Sequence, residues 1–157
     1  MRSGHGARRR AIVGALLGAV ALGALTGGPA ASAQGAKSPG GLVVVINDGL
    51  RLKSIDEIDI RRLFLGKSRT LPNGMRAQLA SYGPERSFFN ERALGLSDER
   101  VAGIWSRMQF SGRTPPPRVF DTAEEVIAFV ASTPNAIAYL PASASREGVR
   151  VIWNVPR

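Results

Sequence analysis

The chain has 157 residues, of which 44% are hydrophobic and 21% charged, with a formal net charge of +9; this is the composition of one globular domain, alone or with a short appendage. Cysteine is absent, which excludes disulfide bonds, thiolate nucleophiles and cysteine-ligated metal sites. The only histidine is His5, so the rest of the chain lacks the usual general base and most transition-metal ligands. We therefore expect a protein that is not an enzyme and that has no metal and no covalent cofactor.

The N-terminal segment has the three-part pattern of a signal peptide. Arg8–Arg10 precede an apolar run from Ala11 to Leu25, and Ala31-Ser32-Ala33 supplies the small residues of a cleavage site. The run has about 15 residues, short of the roughly 20 that cross a bilayer, and a retained membrane anchor is the alternative. No cysteine is present for lipid attachment. We predict a signal peptide over residues 1–33, cleavage after Ala33, and a periplasmic or secreted protein without membrane insertion.

The positive charge is concentrated in that N-terminal segment. The segment contains four arginines and no acidic residue, and the remaining 124 residues carry 17 basic and 12 acidic side chains. This smaller excess is scattered among the acidic residues instead of forming a basic stripe. Together with export, the pattern predicts no nucleic-acid partner.

Strand and helix signals alternate after a polar, glycine-rich leader over residues 34–41, which we expect to be disordered. Leu42–Ile46 is a continuous apolar run, typical of a strand that is buried on both faces. Ser54–Glu57 has the spacing of a capping box. The helix that it begins is predicted to end at Gly66 and to have an apolar side formed by Ile55, Ile58, Leu63 and Phe64.

The middle of the chain predicts a turn, a strand and two helices. Leu71–Gly74 is a turn sequence, and Met75–Tyr82 is a candidate strand. Pro84 suits the first turn of a helix that ends at Gly95. The inward residues of this helix are expected to be Phe88, Phe89, Ala93 and Leu94. The next helix begins at Ser97, and its apolar residues have helical spacing: Val101, Ile104, Trp105 and Met108.

The last third of the chain continues the alternation. Phe110–Arg118 is a stiff, proline-rich loop that we expect to order the strand after it. Thr122–Glu125 is a second capping box, and its helix stops at Pro134. Strands are predicted over Ala136–Leu140 and Val149–Trp153. The pattern indicates a layered α/β domain over residues 42–157.

Several phrases of the sequence resemble those of one protein family and occur in the same order. They are IRRLFLGK at Ile60–Lys67, LPNG at Leu71–Gly74, FNERALG at Phe89–Gly95, and VIAFVASTPNAIAYLP at Val126–Pro141. The chain is similar to the phosphate-type solute-binding proteins of ABC transporters, and more closely to short secreted homologues of them. The resemblance implies a single lobe of a type II periplasmic-binding-protein-like fold, with a mixed β-sheet flanked by helices. It also implies non-catalytic recognition of inorganic phosphate, another small anion or a small ligand.

The resemblance also indicates where an anion would bind. In the family, a Ser-Gly-Thr stretch at a helix start holds the anion with hydroxyl and backbone N–H groups, and here it falls on Gly83, Pro84 and Glu85. Both hydroxyls are therefore missing, and Glu85 adds a negative charge. The candidate ligand-binding residues that remain are Ser81, Gly83, Arg86 and Ser87. Of these, Arg86 is the best suited to grip an oxyanion.

The candidate binding residues also have simpler explanations. Arg86 is equally consistent with a solvated arginine in a first helical turn, and Ser81 and Ser87 with local caps. Arg113 and Arg118 flank the proline-rich loop. They form a basic rim with Arg86 only if the fold brings the three arginines together.

Other notable residues favour structural roles. Trp105 lies on an apolar helical stripe, which favours a core residue over a sugar-stacking platform. Thr114–Arg118 favours a rigid loop, with recognition by a polyproline receptor as the alternative. Acidic pairs in predicted first turns are explained better by capping and the helix dipole than by acid–base or calcium chemistry. These pairs are Asp56 with Asp59 and Glu124 with Glu125.

Two functions remain open. The first is a secreted solute-binding protein, for which a transporter permease is the expected partner. The alternative is a periplasmic interaction or sensory module that kept the fold and lost phosphate binding, with another periplasmic protein as its partner. A hydrolase would need a Ser–Lys or carboxylate constellation, which the sequence does not show.

Overall fold

The computed structural model describes residues 40–112 and 114–156. The predicted signal peptide, most of the predicted leader, and Arg113 lie outside these residues. Within the described ranges, no helix has both the length and the apolar character needed to cross a membrane.

Strands and helices alternate along the described part of the chain. Strands are β1 (Leu42–Asn47), β2 (Gln78–Tyr82), β3 (Arg118–Phe120), β4 (Ala136–Pro141) and β5 (Val149–Asn154). Helices are α1 (Glu57–Phe64), α2 (Arg86–Phe89), α3 (Asp98–Phe110) and α4 (Ala123–Ser132). A 3₁₀ turn (Gly83–Glu85) precedes α2 and a π-helical turn (Asn90–Leu94) follows it. We refer to residues 83–94 together as the α2 segment.

The five strands form one mixed sheet in the order β3-β2-β4-β1-β5. Strand β1 is antiparallel to both β4 and β5, whereas β2 is parallel to β3 and β4. The central strands β1 and β4 are buried over nearly their whole length. The mixed sheet flanked by helices confirms the α/β class predicted from the sequence.

The apolar runs of β1 and β4 contribute to two separate cores because successive side chains point to opposite faces of a sheet. On one face, Val44, Ile46 and Tyr139 pack with the α2 segment and with helices α1 and α3. On the other face, Val45 and Leu140 pack against α4. A sheet covered on both sides therefore explains why these strands are apolar throughout instead of alternating.

Three helix boundaries follow the local signals in the sequence. Thr122 and Glu125 form the predicted capping box: Thr122 Oγ1 accepts from the Glu125 N–H at 3.2 Å, and Glu125 Oε2 accepts from the Thr122 N–H at 3.3 Å. Pro84 lies in the first turn of the α2 segment, and Gly95 ends that segment in the left-handed conformation, with φ of 70°. These three predictions are confirmed.

The predicted capping box at Ser54 is wrong. Helix α1 begins at Glu57, and its N-cap is Asp56, whose side chain accepts from the Asp59 N–H at 2.7 Å. An aspartate caps a helix as well as a serine does, so the spacing alone did not distinguish the two starts. The face of α1 that packs on the core contains Ile60. Ile58, which was expected on the apolar side, is 59% exposed.

Strand β2 is shorter than predicted. It begins at Gln78 instead of Met75 because the preceding residues close a tight loop, in which Thr70 bridges to Arg76 and the Leu71 N–H donates to the Met75 carbonyl at 2.8 Å. The predicted turn at Leu71–Gly74 is present inside this loop, where the Gly74 N–H donates to the Leu71 carbonyl at 2.9 Å.

The turn that follows the end of helix α1 requires a glycine. Gly66 has φ of 68°, and a Cβ built on it would overlap the Met108 side chain and lie 3.0 Å from the Trp105 ring. We expect Gly66→Ala to lower the free energy of unfolding by about 2 kcal/mol, through backbone strain and overpacking. Urea unfolding measures this loss.

Gly74→Ala is the matched control, because Gly74 has φ of 83° and no atom within 4 Å of an added Cβ. It should lose only about 1 kcal/mol, from backbone strain. Equal losses in the two variants would contradict the packing contribution at Gly66.

Candidate functional site

A cavity of about 450 Å³ lies beside the sheet, between the α2 segment, α3 and the loop before β3. We call it the central cavity. Its apolar walls include Phe64, Leu94, Val101, Trp105, Pro117 and Val119. Its polar side chains include Ser81, Arg86, Asn90, Asp98 and Tyr139. An apolar pocket with a few convergent polar groups is the usual form of a small-molecule site.

The sheet register places Ser81 beside Tyr139. Strands β2 and β4 are parallel, and Ala80 pairs with Ala138, so the next residue on each strand falls at the same level. The two alanines face α4, and Ser81 and Tyr139 therefore face the opposite side, where the central cavity lies. Ser81 is 6% exposed and Tyr139 1% exposed.

Tyr139 is held by aromatic packing. Its ring stacks on Phe89 with centroids 3.8 Å apart and an interplanar angle of 8°, and Phe64 contacts both rings. Its hydroxyl is buried and has no hydrogen-bond partner among the described residues. Burial raises the pKa of Tyr139, although the nearby Ser81 hydroxyl opposes the rise without reaching hydrogen-bonding geometry. Tyr139 is therefore a neutral hydroxyl group that lacks a partner.

Asp98 binds three polar side chains at the rim of the cavity. It accepts hydrogen bonds from Ser87 Oγ at 2.7 Å and from Asn90 Nδ2 at 2.5 Å, and Arg86 Nε lies 3.5 Å from its carboxylate. Partial burial alone would raise the pKa of Asp98. The two hydrogen bonds and the charge of Arg86 outweigh burial and hold the pKa below its ordinary value of 3.8.

The four predicted ligand-binding residues lie close together but face different neighbours. Ser81 and Arg86 line the central cavity. Ser87 donates its hydroxyl to Asp98. Gly83 lies against β3, where an added Cβ would be 3.3 Å from the Phe120 carbonyl oxygen, and it is outside the cavity lining.

The structure does not bring Arg118 to Arg86. The Arg118 guanidinium lies over the rings of Phe120 and Phe129, at 5.4 and 5.0 Å from their centroids. These rings pack on the α4 side of the sheet, away from the central cavity. Because Arg113 lies outside the described residues, the predicted basic rim stays a prediction for that residue only.

Trp105 has the core role predicted for it, and both Trp105 and the proline-rich loop line the cavity. Trp105 is 7% exposed and donates from Nε1 to the Phe64 carbonyl at 3.2 Å, as a core residue should. The loop leads directly into β3, and Pro116 and Pro117 form part of the cavity wall. Trp105 therefore belongs both to the apolar core and to the wall of the cavity.

One member of each acidic pair takes part in helix capping, and the other lies in the first turn of the same helix. Asp56 caps α1, and Glu125 completes the capping box of α4. Within residues 40–112 and 114–156, no group of three or more acidic or histidine residues is arranged to hold a metal ion.

Sequence analysis did not select Asn90, Asp98 or Tyr139 as site residues. Asp98 lies in the first turn of α3, where the helix dipole alone explains an acidic residue, so the sequence did not mark it as a site residue. A signal was available for Tyr139, because it is the single residue with a polar group within the apolar strand Ala136–Leu140. Asn90 left no comparable signal.

The Asp98 network predicts a specific dependence of stability on pH. A carboxylate whose pKa is lowered in the folded state stabilises that state fully above its unfolded pKa, near 4, and progressively less as the pH falls further. We expect Asp98→Asn to lower the free energy of unfolding by about 1 kcal/mol at pH 7. Between pH 5 and pH 2 the variant should lose less stability than the wild type.

Urea unfolding at pH 7, 5 and 2.5 measures both effects. Glu91→Gln is the control, because Glu91 is an exposed carboxylate on the same α2 segment. Parallel pH profiles for the wild type and Asp98→Asn would contradict the assignment of acid sensitivity to Asp98.

No protein-family model matches the sequence, and no curated protein matches it. Solved structures match by fold. A protein assigned as a phosphate ABC transporter substrate-binding protein, from Clostridium perfringens with phosphate bound, matches with a TM-score of 0.57 and 17% identity, over 71% of this chain and 44% of its own. An ABC-type phosphate transport receptor from Vibrio cholerae gives a TM-score of 0.54 and 14% identity, over 71% and 45% of the two chains. PstS from Borrelia burgdorferi gives a TM-score of 0.56 and 12% identity, over 74% of this chain and 49% of its own.

These identities support a shared fold and leave the ligand of this chain open. The chain spans less than half the length of each of the three matched proteins. It therefore has the fold of part of a phosphate ABC transporter substrate-binding protein, a mixed β-sheet flanked by helices.

Proposed function

We propose that this protein is an exported, non-catalytic solute-binding protein that holds a small ligand in the central cavity. The observation that carries the proposal is the meeting of Ser81 and Arg86 in that cavity, on the fold shared with phosphate-binding proteins. These two residues were selected from the sequence as ligand-binding residues. Their placement in one cavity of about 450 Å³ supports a shared ligand.

Each proposed site residue has a distinct role. Arg86 offers several N–H donors to an acceptor group of the ligand, and Ser81 offers a hydroxyl from the floor of the cavity. Ser87 positions Arg86 indirectly, since both side chains bind the same Asp98 carboxylate oxygen. Gly83 allows the turn after β2 to pass close to β3, where a larger residue would be crowded. In this proposal Gly83 and Ser87 shape the site without touching the ligand.

Inorganic phosphate or another small anion is the ligand class that the matched proteins suggest, and an ABC transporter permease is the partner class. Their names associate them with phosphate and with transport, and we extend both to this chain as part of the proposal. The exposure of Arg86, whose side chain is 52% accessible, supports a donor that a dissolved ligand can reach.

Export follows from the N-terminal pattern of basic residues, apolar run and small residues. When the gene is expressed in a bacterium with a C-terminal tag, we expect the protein in the extracytoplasmic fraction to begin at Gln34. Mass spectrometry of the intact protein measures the processed mass. Recovery of the full-length chain in the membrane fraction would contradict cleavage and would support a retained anchor.

A ligand that binds only the folded protein raises its stability, by about 2.7 kcal/mol at a concentration of 100 times the Kd. We expect at least one class of small solute to raise the melting temperature of the purified protein at millimolar concentration. The panel contains phosphate, sulfate, carboxylates, amines and neutral sugars. Differential scanning fluorimetry measures the shift, and calorimetry confirms binding.

Ala102→Trp provides the matched variant for this experiment. Ala102 is exposed on α3 and lines the cavity, so a tryptophan there is expected to block the cavity without disturbing either apolar core. The ligand-induced shift should be lost in this variant. If no solute class shifts the wild type, solute binding is contradicted and the interaction-module alternative is favoured.

A further inference from the structure

We infer that the central cavity takes a small organic monoanion, an apolar body carrying one carboxylate, in preference to inorganic phosphate. The inference rests on the proposed solute-binding function and specifies its ligand. It follows from three properties of the cavity: its apolar walls, its balance of charge, and the hydrogen-bond donors that line it.

The walls suit an organic ligand. A volume of about 450 Å³ lies within the range of pockets that enclose drug-sized molecules, roughly 300–1,000 Å³. Trp105 and Val101 of α3 form one apolar side, and Pro117 and Val119 form another. Inorganic phosphate would leave most of this apolar surface in contact with water. An aromatic or aliphatic body would remove it from water, and this burial contributes about 25 cal/mol for each Å².

The charges in the cavity do not suit a dianion. Among the residues that the structure describes, Arg86 is the one cation in the lining, and Asp98 already lies 3.5 Å from its Nε. Glu99, a further lining residue, is exposed and its charge is screened by water. Asp98 already offsets part of the charge of Arg86, so a phosphate dianion would bring two negative charges to one partly neutralised cation. A carboxylate brings a single negative charge, and the N–H donors of Arg86 other than Nε can bind it.

The cavity offers hydrogen-bond donors to a ligand. Asp98 already accepts from Ser87 and Asn90, so its oxygens are largely occupied. Tyr139 lines the cavity with a buried hydroxyl that has no partner in the described part of the chain. Leaving such a group unpaired costs about 1–3 kcal/mol, and an acceptor that reaches it recovers this energy. Arg86 only donates, whereas the Tyr139 hydroxyl can donate or accept. The ligand group that satisfies Arg86 and Tyr139 together is an acceptor, and a carboxylate has two acceptor oxygens.

Isothermal titration calorimetry with four probes tests the inference at constant ionic strength. Benzoate combines a ring with a carboxylate, benzamide has the same shape without the charge, benzylamine reverses the charge, and phosphate lacks the apolar body. We expect benzoate to bind at least tenfold more tightly than each of the other three. This preference corresponds to about 1.4 kcal/mol.

Two variants test the residues that carry the inference. Arg86→Gln removes the cation, and Tyr139→Phe removes the hydroxyl while keeping the ring that stacks on Phe89. Each should weaken benzoate binding roughly tenfold, the scale expected for a lost hydrogen bond to a charged group. Tyr139→Phe should also melt no lower than the wild type, because the hydroxyl that it removes is unpaired in the free protein.

Arg92→Gln is the control for the arginine variant. Arg92 lies on the same α2 segment, is exposed, and contacts the Phe88 ring at 5.8 Å, outside the cavity lining. Its loss should leave benzoate affinity unchanged. A decrease equal to that of Arg86→Gln would show that the effect is one of general surface charge, and it would overturn the placement of the carboxylate at Arg86.

The outcomes separate this inference from the proposed function. Tighter binding of phosphate, benzamide or benzylamine than of benzoate overturns the inference and leaves solute binding supported. Benzoate binding that survives both Arg86→Gln and Tyr139→Phe also overturns it. Absence of binding by all four probes and by the wider solute panel overturns both the inference and the proposed function.

Discussion

The contact between Tyr139 and Phe89 joins the two parts of the fold on which the cavity depends. Tyr139 lies in the central strand β4, whose residues are buried on both faces. Phe89 ends α2, immediately before the π-helical turn. Their parallel rings, with centroids 3.8 Å apart, hold the α2 segment against the sheet. Arg86 and Asn90 lie one turn or less from Phe89, so this stacking also sets where the polar rim of the cavity can lie.

Local signals in the sequence predicted most of the fold. The capping box at Thr122 and the glycine at Gly95 each depend on residues within one helical turn, and such interactions can be recognised from spacing. The start of α1 was mispredicted because Ser54 and Asp56 are both good caps, and packing of Ile60 into the core decided between them. The π-helical turn after Phe89 left no signal in the sequence, since its extra residue depends on tertiary contacts.

The candidate site was predictable only in part. Ser81 and Arg86 were found because the resemblance placed a ligand-binding helix start beside them. Tyr139 lies 58 residues from Ser81 along the chain, and only the parallel pairing of Ala80 with Ala138 brings the two together. Asp98 meets Ser87 and Asn90 through the packing of α3 against the α2 segment. Sequence spacing contains no information about these meetings, because each depends on how separate elements pack.

The wall formed by the loop before β3 has a consequence for how proteins of this fold diversify. Val119 and Pro117 line the cavity yet belong to neither apolar core. Strand β3 has three residues and, among the described strands, lies at the edge of the sheet and pairs with β2 alone. Substitutions there alter the shape of the cavity while both cores stay intact. Natural variation in this short edge can therefore change which ligand the proposed site would accept, at little cost in folding.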